Sequence, residues 1–244
     1  MVDKRVPVKM EGTDFTQIFI AVFVVVITLV IIALYKRSKS SRRGILLTGL
    51  CDSGKTLIFS QLIHNKNVQT HTSIKENIAN YISSNNGVLK VVDIPGHERL
   101  RNKFFDQHKE VTKGIVYVVD SSTLTQDIRD AAEFLYNILI DPVIQKNRPN
   151  LLILCNKQDQ TFAKGGSAIK SIFEKELNTL RITKSSQLES VDPNVKNAAK
   201  LGNSNEDFDF AALPMKVDIA ESYAFHKNGM VDIEGLKKWL ARQV

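Results

Sequence analysis

No stretch of this chain constrains its fold more than Gly49–Thr56, which reads GLCDSGKT. It has the form G-x-x-x-x-G-K-[ST] and stands between an apolar run, GILLTGL at 44–50, and a helical pattern over 55–64. A loop of this kind turns backbone N–H groups onto phosphate oxygens at a helix N-terminus, which requires glycines and a strand in front. The chain is thereby committed to a strand–loop–helix unit. Gly49, Leu50, Cys51, Asp52, Ser53 and Gly54 are the expected cradle. Lys55 would reach the β- and γ-phosphates as a point charge, and the Thr56 hydroxyl would face Mg2+.

The surrounding pattern agrees with an α/β architecture. Near-continuous apolar runs at 88–94, 114–120, 150–156 and 215–221 read as strands covered on both faces. Residues 73–82, SIKENIANYI, alternate and suit an edge strand. Helical patterns lie at 126–140, 166–180 and 231–242. In 166–180, Ile169, Ile172, Phe173, Leu177 and Leu180 form an i, i+3, i+4 stripe. We expect a mostly parallel six-stranded sheet with helices on both faces, spanning 44–244. From 181 to 212 the pattern lapses into Ser, Asn, Asp and Lys, and a long surface loop is expected there.

Before this domain comes FTQIFIAVFVVVITLVIIALY at 15–35, without a charged residue until Lys36. About 20 such residues cross a hydrocarbon core as a helix, so 15–35 is expected to span a membrane. The run is too long for a secretory signal, and no small-x-small cleavage site follows it. Lys36, Arg37, Lys39, Arg42 and Arg43 crowd its far end, against Lys4, Arg5 and Lys9 before it. The positive-inside bias puts the basic linker 36–43 and the large domain in the cytoplasm, and residues 1–14 in the opposite, luminal compartment. The chain begins Met-Val and shows no prenylation box at its end, so the helix is the expected anchor. Formal net charge is +7, and without the five linker cations about +2 remains. A near-neutral bulk argues against nucleic-acid binding. Two cysteines, Cys51 and Cys155, make no disulfide framework and suit a reducing compartment.

Two more motifs stand in order. In VVDIPGHE at 91–98, Asp93 can hold a Mg2+-bound water at a strand end, and Gly96 lets its N–H approach a γ-phosphate. In LLILCNKQDQ at 151–160, Asn156, Lys157 and Asp159 follow a buried strand. A buried Asp159 carboxylate can accept from both N1–H and the 2-amino group of guanine. Adenine offers neither, and an unpaired carboxylate would cost about 1–3 kcal/mol or more. The Lys157 stem can cover the base plane, and Asn156 can tie this loop to the phosphate side. GTP with Mg2+ is the implied ligand.

With these residues in place, 43–244 resembles the Ras-like and, more narrowly, the Arf-like GTPases. GLCDSGKT, DIPGHERLR, FLYNILID, CNKQD and KELNTLR, together with one N-terminal apolar helix, resemble the family of signal recognition particle receptor beta subunits. That resemblance implies a GTP-binding subunit of the endoplasmic reticulum membrane, paired with an alpha subunit and helping to target ribosomes to the translocon. It also implies a first-switch threonine on Mg2+ within QTHTSIKEN at 69–77, where Thr72 fits best and Thr70 is the alternative. ESYAF at 221–225 stands where Ras-like proteins read Ser-Ala-Lys. Ala224 can donate its N–H to guanine O6, while Tyr223 and Phe225 depart from the pattern.

Ras-like hydrolysis orients water with a glutamine after Asp-x-x-Gly. Here His97 occupies that place as the candidate catalytic group, and Cys51 stands where many such loops keep glycine. The expectation is tight holding with slow turnover. A membrane-anchored Arf-like trafficking GTPase with its own activating and exchange factors is the alternative, disfavoured because those proteins use reversible lipid attachment.

Overall fold

The structure, a computed structural model, describes residues 15–40, 42–191, 201–202, 206–225 and 230–244, with backbone alone at 15–17, 33–40 and 185–191. The expected luminal segment 1–14 and part of the expected loop, 192–200, lie outside the described residues. The chain divides into two compact units, 1–42 and 43–244.

Among its described residues the first unit holds one helix, α1 (Phe15–Ser40). Its described side chains, Ile18 to Ile32, are all exposed. The hydroxyl of Thr28 donates to the Val25 carbonyl at 2.8 Å, which satisfies the one polar side chain in that stretch. Among the described residues no helix is long and apolar enough to cross a membrane. The side chains described in α1 are fewer than the roughly 20 that a crossing takes.

In the second unit, β1 (Gly44–Thr48), β2 (Asn77–Ile82), β3 (Val88–Asp93), β4 (Thr112–Asp120), β5 (Asn150–Asn156) and β6 (Val217–Glu221) form one sheet in the order β2-β3-β1-β4-β5-β6. Every pairing is parallel except that of β2 with β3. The expected edge strand is β2, where half-buried and exposed residues alternate. Register pairs Leu47 with Asp93, Thr48 with Tyr117 and Asp120 with Asn156. The ends of β1, β3 and β5 therefore meet at one sheet edge, with a motif beginning at each.

Alternation along the strands sends side chains to two cores. On one face Leu46, Val92 and Tyr117 pack with Phe105 of α3 (Glu98–His108), Phe134 and Leu135 of α4 (Leu124–Ile140), and Phe173 of α6 (Gly166–Val191). On the other, Ile45, Leu47 and Val118 meet Ile58 and Phe59 of α2 (Lys55–His64), and Leu236, Trp239 and Leu240 of α7 (Glu234–Ala241). Helices thus cover both faces, as expected.

Two helices escape the sequence pattern. α3 fully buries only Phe105, with Phe104 partly buried beside it, in an otherwise largely polar helix. α5 (Pro142–Asn147) is a short helix started by Asp141, whose carboxylate accepts from the N–H groups of Val143 at 2.8 Å and Ile144 at 3.2 Å. The expected loop from 181 also needs correction. α6 continues past Leu180 to Val191, with Lys184 paired to Glu133 at 2.7 Å. Further on, Leu201, Phe208 and Phe210 are buried in the first core, the two rings edge to face at 5.3 Å. Single apolar residues spaced through a polar sequence carry no periodicity, yet they suffice to seat a segment on a core.

Gly114 shows how closely the second core is filled. A Cβ there would lie 2.6 Å from Cη2 of the fully buried Trp239 and 3.1 Å from Cδ1 of Ile45. A rigid indole cannot move aside within close packing. Gly114→Ala should therefore destabilise the protein by about 1–3 kcal/mol, read as a lower urea midpoint at unchanged slope.

Candidate functional site

The loop after β1 depends on its glycines. Gly49 (φ 141°) and Gly54 (φ 89°) lie where L side chains rarely go. A Cβ at Gly49 would strike the Val118 carbonyl, and one at Gly54 would strike the Asn156 amide. That amide, 2% exposed, donates from Nδ2 to the Ser53 carbonyl at 2.8 Å. Asn156 Oδ1 accepts from Ser222 Oγ at 3.3 Å, so the ends of β5 and β6 and the loop share one buried side chain. Lys55 is buried and donates to the Leu50 carbonyl and, at 3.3 Å, to Ser53 Oγ. Burial lowers its pKa against the opposing pull of Asp93. Cys51 and Asp52 are exposed, and Asp52 sits at φ 58°.

Behind the loop, Thr56 Oγ1 donates to Asp93 Oδ2 at 2.8 Å, and Asn77 Nδ2 donates to the same oxygen at 3.0 Å. Asp93 is 1% exposed, and its Oδ1 has no partner among the described residues. Burial raises its pKa although Asn77, Thr56 and Lys55 all pull it down. A buried carboxylate oxygen without a donor calls for a cation. Among the described residues no three His, Cys, Asp or Glu cluster as a metal cage. One carboxylate with hydroxyls fits Mg2+, which usually takes few protein ligands and shares phosphate oxygens.

The segment expected to hold the first-switch threonine meets this point through a residue that the sequence did not single out. Ser73 Oγ lies 3.3 Å from Thr56 Oγ1 and is half-buried, whereas Thr70 and Thr72 are exposed, although all three line one cavity of about 260 Å3 with Lys55, Thr56 and Gly96. A hydroxyl beside Thr72 was the only signal for it in the sequence. Gly96 is buried against the loop, where a Cβ would stand 2.7 Å from the Cys51 nitrogen. His97 is turned elsewhere. It is exposed, begins α3, and its Nδ1 accepts from the Arg99 N–H at 3.3 Å, which makes it a helix cap outside that cavity. Glu76, just before β2, meets His108 at the end of α3 at 3.0 Å.

A second cavity, of about 520 Å3, adjoins the first and shares Gly54, Leu57 and Lys157 with it. Asn156, Asp159, Ala224 and Phe225 also line it. Lys157 takes φ 64°, and its Nζ is held by Asp120 Oδ2 at 2.6 Å. Burial would raise the Asp120 pKa, but hydrogen bonds from Lys157 and Ser122 outweigh it and bring the pKa down. Ala224 is buried, and Asp159 is exposed. Asp159 stands on the loop beyond the end of β5 and lines this cavity. A third cavity, of about 580 Å3, lies between the phosphate-type loop, α3 and α4.

A phosphate cradle and a base-sized cavity, joined through one asparagine at the edge of this sheet, define the chain as a Ras-like GTP-binding protein. The family described as signal recognition particle receptor beta subunit matches residues 40–217. The signal recognition particle receptor subunit beta of Homo sapiens is 43% identical over 241 residues, covering 96% of this chain and 89% of that one. Among solved structures, one described as the mammalian SRP receptor is 41% identical with a TM-score of 0.73, covering 83% of this chain and 100% of that one. An SRb-GTP/SRX complex from Chaetomium thermophilum is similar in fold, at 20% identity and a TM-score of 0.60, over 82% of this chain and 96% of that one. The chain belongs to the signal recognition particle receptor beta subunit family, and is a GTPase of signal-recognition-particle-dependent targeting.

Asn156→Ala would leave the Ser53 carbonyl unpaired in a buried place. It should cost about 1–3 kcal/mol in urea unfolding and weaken GDP and GTP alike in calorimetric titration.

Proposed function

We propose that this protein is a membrane-anchored docking switch, holding GTP so that its ordered switches form a binding surface for the receptor's alpha subunit. The observation that carries this reading is the convergence of Thr56, Ser73 and Asp93 behind the phosphate-type loop while His97 caps α3. Such a site is equipped to sense a γ-phosphate, and its histidine is not poised to activate water.

In this reading the backbone of 49–54 and Lys55 hold the phosphates, and Gly96 approaches the γ-phosphate. Thr56 and Asp93, the latter through water, hold Mg2+, which would neutralise phosphate charge and bind the first switch to the loop. Ser73 supplies the first-switch hydroxyl in place of Thr72, because it is the hydroxyl already on Thr56. Asn156, Lys157, Asp159 and the Ala224 N–H form the guanine site. When the γ-phosphate and its metal are present they hold both switches in one conformation, and the loss of the phosphate releases them.

The anchor is 15–35, supported by the uncharged run in the sequence and by the helical backbone of α1. The five cations at 36–43 favour a cytoplasmic GTPase domain. Membership of the receptor family supports the endoplasmic reticulum as the membrane and the alpha subunit as partner, the Chaetomium relative being described with SRX. Ribosome and translocon are the further partners of that setting.

The alpha subunit should prefer the GTP form by at least ~1–3 kcal/mol, measured by calorimetry on the full chain in detergent. Thr56→Asn should abolish binding with the anchor intact; equal affinity with GTP, GDP and no nucleotide would leave only a structural anchor. Asp159→Asn replaces an acceptor oxygen by a donor amide, so preference should move from GTP toward xanthosine triphosphate. Competition binding with both nucleotides checks this, and unchanged GTP affinity would remove Asp159 from the base site.

A further inference from the structure

Three cations, Arg43, Lys90 and Lys113, gather where β1 begins. Arg43 stands immediately before the strand and is exposed. Its carbonyl accepts from the Lys90 N–H at 2.9 Å, and the exposed Lys90 pairs with Gly44 in the β1–β3 register. On the other side of β1, Thr112 pairs with Gly44 and Gly114 with Ile45, so Lys113 is the extra residue of a bulge. A bulge re-aims the side chain that it carries. Burial and then the nearby Arg43 charge lower the Lys113 pKa. Among the described residues none of the three cations enters an ion pair. Like charges held together repel one another, and an anionic surface laid across them removes that cost.

Apolar side chains border these cations. Ile82 and Val88 face each other across the β2–β3 pair, and both are exposed, as is Val111 just before β4. Val88 stands two residues before Lys90 and so shares its side of the sheet. A Cβ on Gly44 would lie 3.0 Å from the Val111 carbonyl, which fixes Val111 beside the same strand start. From β2 to β4 the patch crosses three strand spacings, about 15 Å. Residues 77–90 contain no carboxylate, and Glu110 borders the patch beside Val111. Apolar residues among unpaired cations suit an interface of phosphate headgroups over acyl chains. Chain connectivity supports the same occupant. Only residues 36–43 separate the expected span at 15–35 from β1, at most about 29 Å when fully extended.

We propose that this end of the GTPase domain docks on an anionic lipid surface, through the three cations and through Ile82, Val88 and Val111. The proposal rests on the reading of 15–35 as a membrane anchor. The anchor limits the distance from the bilayer, and the patch sets the orientation. With the strand starts against lipid, the nucleotide cavities beyond the strand ends open to water, and the switches stay turned toward a soluble partner.

The test is tryptophan quenching on the full chain in nanodiscs, with brominated phosphatidylcholine as quencher and with or without phosphatidylserine. Ile82→Trp puts the reporter at an exposed position, and the unaltered chain supplies the Trp239 background. Quenching is expected with phosphatidylserine, and it should fall in neutral lipid and at high salt. Each cation near an anionic surface changes the docking equilibrium about fivefold. Adding Lys90→Gln and Lys113→Gln should therefore lower the docked-to-free ratio about thirtyfold, with GDP affinity unchanged. Equal quenching with and without phosphatidylserine, or quenching untouched by the two lysine substitutions, overturns the proposal. An emission shift that grows with protein-to-lipid ratio and escapes the brominated lipid would assign the patch to a second copy of the chain. A shift that needs the alpha subunit would assign it to that protein, and either result overturns the lipid reading. If Ile82→Trp does not fold, Val88→Trp replaces it under the same expectations. Extraction of the full chain from vesicles by alkaline carbonate would instead overturn the anchor reading beneath it.

Discussion

The Asn156 amide reaches from the end of β5 to the Ser53 carbonyl at 2.8 Å, and the rest of the site is arranged around that reach. It is possible because β1, β4 and β5 run parallel in neighbouring positions, which brings the ends of first and fifth strands to the same edge. It also requires that nothing project from Gly54, since any Cβ would occupy the space of the amide. The loop after β1 and the loop after β5 are thereby tied together. Buried and hydrogen-bonded at both its nitrogen and its oxygen, a short polar side chain of this kind specifies geometry more than it adds stability.

The segment before β2 hangs from the loop after β1 by a few polar contacts. Thr56 touches both Ser73 and Asp93, Asp93 also takes Asn77, and one residue away Glu76 reaches His108 on α3. The segment before β2 is thereby connected to one buried carboxylate, whose second oxygen stays without a donor among the described residues. Few apolar contacts support the segment before β2, where residues 64–72 are all exposed. Few apolar contacts and a handful of polar anchors place this segment at the low-stability end of the structure.

The sheet was legible because covered strands are written as unbroken apolar runs. β5 falls on Asn150–Asn156, where the sequence pattern had put it, and α2 on Lys55–His64. The glycines and Lys55 were legible for the same reason, since a backbone that must approach phosphate allows few residue types. What escaped depends on which of several adjacent polar groups is turned inward. Nothing in THTS distinguishes Ser73 from Thr72 until the chain turns into β2. His97 reads as a catalytic candidate by position, and only its bond to the Arg99 N–H shows its use as a cap. α3 escaped because a largely polar helix that fully buries one phenylalanine leaves little pattern to read.

Trp239 is the chain's single tryptophan, fully buried against Gly114 in the core beneath α7. Its Nε1–H has no partner among the described residues, and the indole packs among the apolar side chains of the second core. Gly114 pairs with Asn150, the first residue of β5, which puts the indole by the strand starts and the nucleotide cavities beyond the strand ends. The natural emission of this protein should therefore be blue-shifted and report the integrity of the sheet rather than the occupant of the cavities. The molecule carries a built-in gauge of its folding that is blind to its signalling state.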